Sequence, residues 1–301
     1  MKENSPVASF ESTLKSRDTE ELIDIYFYRP VGYAWALFFR KIGITPNQVT
    51  ITAIFLGITA GVCFYFTHLW VNLLGIFLLI WANSYDSADG QLARMSGQTS
   101  ALGRMLDGLC GDLWFVTIYY ALAFRSLPEW GHWIWLLAYP AGYFHTRQAA
   151  MADYYRNIHL LFLKGKSGSE LDRSNDLKIR YDKLSWRKEP FSKFFEKFYL
   201  MYTQGQEKWS PQLQQMLGIL KNKYDDKAPE WFQTEFRTKS LPLMKYTNWL
   251  SFNVRSIVLF TAVLTNKPWI FYLLDWTVLN IMLVYMIWKH ERICKGFIER
   301  L

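Results

Sequence analysis

Residues 50–80 contain no Lys, Arg, Asp or Glu, whereas residues 164–245 are crowded with them. This segregation constrains the chain more than any average. An apolar run of about 20 residues is long enough to cross a ~30 Å hydrocarbon core as a helix, so the sequence is read as a polytopic membrane protein. The mean hydropathy of −0.03 merely averages the two kinds of segment. Cys63, Cys110 and Cys294 show no disulfide or zinc spacing and are expected to be packing thiols. The net charge of +8 lies on basic residues interleaved with acids beside apolar runs, which favours anionic lipid headgroups, and not nucleic acid, as the partner.

The expected fold is all-α with six transmembrane helices, an N-terminal interfacial amphipathic helix and a helical cytoplasmic insert. Residues 1–47 form the tail and a surface helix after Pro30, rich in aromatic rings with Arg29, Arg40 and Lys41 among them. Thr45, Pro46 and Asn47 carry the residue types of a helix start. Residues 48–162 hold four spans, near 48–69, 71–95, 99–124 and 133–155, with a turn at Pro128 and Gly131. Residues 163–243 form an amphipathic insert, and 244–301 hold spans near 246–264 and 269–288 plus a tail. Lys and Arg concentrate in the N-terminal segment, the insert and the tail, while the opposite loops offer only Arg125 and Lys267. Both termini and the insert are therefore expected on the cytoplasmic side.

Within residues 81–112 the apolar pattern is broken by Asp86, Asp89, Asp107 and Asp112. Ionisable groups in a bilayer are costly unless paired, hydrated or metal-bound. At about 1.5 Å per residue, Asp86 lies roughly 22 Å along the second span and Asp107 roughly 12 Å along the third. Both fall in the cytoplasmic half, as do Arg147 and Arg255 by the same arithmetic. Asp86 and Asp89, three apart, share a helix face, and oxygen-only donors suit hard divalent cations on phosphate. Gly90, Ala93 and Gly103 are small enough for a nucleotide to approach the backbone closely. These features describe a metal-held diphosphate site.

The run D-x-x-D-G-x-x-A-R at 86–94, followed eight residues later by G-x-x-x-D at 103–107, resembles the signature of the CDP-alcohol phosphotransferases. The resemblance implies transfer of a phosphatidyl-type group from a CDP-linked donor, such as CDP-diacylglycerol, to a hydroxyl acceptor with release of CMP. It also implies two Mg²⁺ or Mn²⁺ ions on Asp86, Asp89, Asp107 and the final aspartate, with nucleotide contacts from Gly90, Ala93, Arg94 and Gly103. A homodimer with a cytoplasmic active site is implied as well. The motif expects its last aspartate, the general base, at position 111, which is Gly111 here, with Asp112 one residue late. On a regular helix Asp112 lies roughly 140° around from Asp107. A one-residue π-bulge, favoured by Gly108 and Gly111, would restore it to the metal face as base and ligand.

Arg147 and Arg255 are expected to bind an acidic acceptor, inositol phosphate being the family's best-known example. The bland alternatives pair Arg147 with Asp153 and let Arg255 snorkel. Asp275 has no partner assignable from sequence. Two further functions fit parts of the pattern: a phospholipid or sphingolipid headgroup transferase on the same fold, and a non-catalytic cation-binding protein or transporter. The acceptor's identity, the lipid tails and the insert's role are not encoded in any recognisable motif.

Overall fold

A computed structural model of the chain describes residues 10–13, 16–98, 101–165, 169, 171–225 and 227–301; the side chains of Ser12, Ala101, Leu102, Arg104, Met105 and Asp107 lie outside that description. Among the described residues the structure is helical with no strand, in agreement with the all-α expectation. Among these residues three helical runs are long and apolar enough to cross a membrane: Pro46–Cys63, Leu69–Ser96 and Trp269–Ile298, the last opening with α12 (Trp269–Leu273). They coincide with the expected first, second and sixth spans. The remaining three segments differ for physical reasons. Helices α4 (Ala101–Trp130) and α5 (Trp135–Lys164) are long enough but carry charged residues along their length. The expected fifth span breaks at residues 250–251 into α10 (Met244–Trp249) and α11 (Phe252–Leu264). The expected turn also moves, because α4 continues through Pro128 and ends before Gly131, which takes φ +55°.

The chain divides into two compact units. The first comprises residues 1–146 and 253–277. Here a π-helical turn, Asp24–Tyr28, leads into α1 (Arg29–Ile42), the amphipathic helix expected after Pro30. Gly43 stops α1 in the left-handed conformation, φ +78°, which glycine adopts without a Cβ penalty. Thr45 then caps α2 (Pro46–Cys63) through a reciprocal box with Gln48, whose Oε1 accepts the Thr45 backbone N–H at 2.9 Å.

Glycines set how closely α2, α3 (Leu69–Ser96) and α4 approach. A Cβ on Gly57 would fall inside the Trp114 indole, whose Nε1 donates to the Ala53 carbonyl at 3.0 Å. Gly61 and Gly75 make similar room for Thr117 and for Phe64. Gly57→Ala is therefore expected to destabilise the protein by about 1–3 kcal/mol through overpacking. The measurement is the Tm of detergent-solubilised protein. Gly218→Ala, where an added carbon meets nothing within 4 Å, should hold or raise it.

Arg125, read from sequence as a loop charge, is an interior clamp. It is buried and donates to the carbonyls of Phe64 and Val263 and to the side-chain oxygens of Asn72 and Asn266, at 2.8–3.1 Å. One guanidinium thereby satisfies four groups on three segments, a use for which its planar fork is suited.

The second unit comprises residues 147–252 and 278–301. It contains α6 (Ser174–Lys183), α7 (Pro190–Lys208), α8 (Pro211–Tyr224), α9 (Glu230–Ser240) and α13 (Leu279–Ile298). Phe162, Phe232, Phe236 and Phe297 form its aromatic core, with ring centroids as close as 4.6 Å. Glu291 on α13 accepts the backbone N–H groups of Gln212 and Leu213 at 2.7 and 3.2 Å, a favourable place for an anion at the start of α8. The expected helical insert is thus a folded layer packed on α13.

Candidate active site

The central stretch lies on α3 and α4 in the first unit. Asp86, Asp89, Gly90, Ala93 and Arg94 fall within the last three turns of α3. That helix is crossed closely by α1: a Cβ on Gly32 would lie 2.8 Å from Ser87 Oγ and 3.1 Å from the Ala88 nitrogen. Ala36, Phe39, Val49, Ala88 and Leu92 form the apolar cluster beneath the crossing, with Trp35 and Tyr85 against it. The surface helix thus holds the motif helix in place.

Asp89 is buried, and its Oδ2 accepts the Thr50 hydroxyl at 2.5 Å. Thr50 Oγ1 also lies 3.1 Å from the Pro46 carbonyl, so the start of α2 orients the carboxylate. Asp86 is half-buried. Arg29 donates to Glu20 at 2.9 Å and reaches Ser87 Oγ at 3.4 Å. Burial pulls its pKa down, but the charges of Glu20, Asp24 and Asp86 outweigh this and hold it above the ordinary arginine value. Gln91 donates to the Arg29 carbonyl at 3.0 Å. Thr50 and Gln91 were not singled out from sequence, and Arg29 was read only as a basic residue of the surface helix. Polar residues at helical spacing beside a motif acid were the available signal.

Arg94 folds back over Gly90, its guanidinium 3.4–3.8 Å from where a Cβ would stand, and its Nε donates to the Thr13 carbonyl at 2.7 Å. Ala93 and Gly103 are half-buried. Asp107 belongs to α4, and its side chain lies outside the described residues. Among the described residues no three of His, Cys, Asp and Glu group closely enough to hold a cation. Asp86 and Asp89 supply two carboxylates on one face of α3, and an oxygen-only pair of this kind matches the donor chemistry of Mg²⁺ or Mn²⁺.

No bulge interrupts the helix near Gly108 and Gly111: α4 is α-helical from Ala101 to Trp130. Asp112 therefore keeps its regular position, about 140° around from residue 107, and borders a cavity with Phe115, Tyr119 and His145.

The two arginines fall in different units. Arg255 on α11 is 1% exposed and does not snorkel; its Nη1 pairs with Asp275 Oδ1 at 3.0 Å. Asp275, on the π-helical turn Leu274–Val278, thus has the partner that sequence reading could not assign, and Tyr119 also donates to it. His145 Nδ1 lies 3.3 Å from Tyr119 Oη and 3.4 Å from Arg255 Nη1. Arg147, half-buried on α5, places Nη1 2.9 Å from where a Cβ on Gly205 would stand. Asp153 accepts from Asn157 at 3.1 Å.

Comparison with known proteins gives the same segment. Residues 43–155 match the CDP-alcohol phosphatidyltransferase family. Over 90 residues the chain is 36% identical to archaetidylinositol phosphate synthase of Pyrococcus horikoshii, covering 30% of this chain and 46% of that one. Over 94 residues it is 31% identical to the bifunctional IPC transferase and DIPP synthase of Aquifex aeolicus, covering 31% of this chain and 21% of the other. The chain spans less than half the length of the curated relatives it matches. No solved structure matches it. Residues 43–155, which carry the seven-point motif on helices α3 and α4, are thus the part of this chain that matches the CDP-alcohol phosphatidyltransferase family.

Proposed function

We propose that the protein transfers a phosphatidyl-type group from a CDP-linked lipid, such as CDP-diacylglycerol, to a polar alcohol and releases CMP. The observation carrying this reading is the run of seven motif positions, 86 to 107, inside the matched segment. Asp86, Asp89 and Asp107 would hold divalent cations, which neutralise charge on the donor's bridging phosphates as CMP leaves. The chain's own residues position the donor. Thr50 fixes the Asp89 carboxylate, α1 buttresses the motif turn of α3, and Gly90, Ala93, Arg94 and Gly103 form the nucleotide surface.

An inositol phosphate acceptor is favoured by the name of the Pyrococcus relative. Arg147 is the acceptor-binding arginine of this proposal; Arg255 pairs with Asp275. The six-span topology with both termini and the active site on the cytoplasmic side, and assembly as a homodimer, belong to the same reading. So does an anionic lipid surface for the insert. Phe191, Phe198 and Met201 form an exposed stripe on α7 with Lys197 and Lys208 exposed at its edge. The acids Glu196 and Glu207 are instead engaged with Arg180 and Ser174 of α6.

The test is an acceptor panel with the full chain in liposomes containing CDP-diacylglycerol and Mg²⁺. Acceptor-dependent CMP release, with the largest rate for inositol phosphate, supports the proposal. Headgroup transfer from a phospholipid without CMP release, or cation flux without chemistry, overturns it. Arg147→Gln should raise the acceptor KM by about tenfold or more and leave the donor KM unchanged.

A further inference from the structure

Asp112 is accounted for neither by the motif nor by the packing of α4. It is half-buried, and among the described residues it makes no hydrogen bond and no ion pair. A carboxylate in apolar surroundings without a partner is a functional feature by default. Arg255 pairs instead with Asp275 at 3.0 Å, and Tyr119 donates to that same carboxylate.

What Asp112 borders is a slot of about 300 Å³ between α4 and the first turns of α5. Residues 112, 115, 116, 119 and 120 line it at the spacing of one helix face. At the Asp112 end stand Phe115, Tyr143 and His145; farther along stand Tyr120, Trp135 and Tyr139. Trp135 and Tyr139 stack at 5.2 Å, and Tyr120 lies 5.7 Å from Trp135. Ala138 and Gly142 keep the floor low, and a Cβ on Gly142 would reach only to 3.9 Å from Tyr119. The rim is open, with Tyr139 and Tyr143 more than half exposed.

One negative charge at the end of an aromatic slot selects a ligand by sign and by surface. Ring faces attract cations, most strongly where water is excluded. A phosphate or carboxylate would be repelled by Asp112, and a neutral alcohol would leave its charge uncompensated. The aromatic remainder, open at its rim, suits a hydrocarbon chain continuing from the charged head.

We propose that the α4–α5 slot binds the ammonium group of an amine-bearing amphiphile, with Asp112 as its counter-ion and the Phe115, Tyr143 and Tyr119 rings as its walls. This site lies off the motif face and does not depend on the phosphotransferase reading.

The full chain in phosphatidylglycerol nanodiscs would be exposed at pH 7 to three photoactivatable probes of similar chain: sphingosine, its N,N,N-trimethyl form, and ceramide, in which an amide replaces the amine. Labelled peptides are then mapped by mass spectrometry. Either ammonium probe is expected to label residues 112–146 about tenfold more than ceramide, and the stronger of the two identifies a primary or a quaternary headgroup. Asp112→Asn should cut that labelling about tenfold, and Asp112→Glu should retain it. Gly142→Phe, which fills the slot without touching the charge, should abolish it and serves as the deciding variant if Asp112→Asn fails to fold by size exclusion. Equal labelling by ceramide, or labelling that survives Gly142→Phe or a folded Asp112→Asn, overturns the proposal.

Discussion

Asp89→Asn is expected to lower donor-dependent CMP release by about 10²–10³-fold while leaving the protein folded. The magnitude follows from losing a charge that, in the proposed reaction, would help hold divalent cations on the leaving diphosphate, an effect of several kcal/mol, at about 1.36 kcal/mol per tenfold in rate. The fold should survive because asparagine has nearly the same volume, and its amide oxygen can still accept the Thr50 hydroxyl that now lies 2.5 Å from Asp89. Thr50→Val separates orientation from charge. It keeps the carboxylate but removes the donor that fixes it, and a loss nearer tenfold is expected, as for other groups that orient metal ligands. The measurement is kcat against Mg²⁺ concentration for the three proteins. A fully active Asp89→Asn protein would remove Asp89 from the site.

The second large effect is on stability. Arg255 and Asp275 form an ion pair in which both side chains are at most 1% exposed. Removing one partner strands the other, so Arg255→Met alone is expected to destabilise by about 3–5 kcal/mol. Arg255→Met combined with Asp275→Leu should recover most of that loss, because a well-packed apolar pair removes both desolvation penalties. The Tm values of the single and double variants in detergent measure the coupling. Were Arg255 an acceptor ligand instead, the double variant would be stable and active toward the donor yet would lose acceptor affinity.

These two sites show how differently sequence discloses structure. Residues 86–107 were legible because fixed offsets of Asp, Gly, Ala and Arg carry a pattern that does not depend on tertiary contacts. The helix start at Thr45 was legible for the same reason, since capping chemistry is local. Arg255 and Asp275, twenty residues apart on either side of a turn, gave no such local signal. Their pairing depends on the π-helical turn Leu274–Val278 and on the depth at which α11 packs. Arg125 was misread because its place after an apolar run looked like a loop, whereas continuation of α4 through Pro128 turns it inward. At Asp112 the backbone of α4 stays regularly α-helical. The bulge invoked to move it was not needed by any backbone feature of α4.

The support that α1 gives to α3 was likewise invisible in the motif. It resides in Gly32, a small residue on a different helix whose lack of a side chain admits Ser87. Sequence periodicity identified α1 as amphipathic, but amphipathicity alone does not distinguish a lipid surface from a neighbouring helix as the partner of its apolar face. The structure gives part of that face to α3, with Ala36 and Phe39 buried against Ala88 and Leu92, and leaves Phe38 and Ile42 exposed.

The central claim is that the carboxylates of α3 and α4 act through divalent cations on a CDP-linked lipid. Its most direct test is CMP release from CDP-diacylglycerol by the full chain in liposomes with inositol phosphate present. Release would be followed with Mg²⁺, after EDTA, and after Mg²⁺ is restored. Release is expected to stop with EDTA, to return with Mg²⁺, and to be lost in Asp107→Asn under all three conditions. CMP release that persists through chelation, or that Asp107→Asn leaves unchanged, would contradict it.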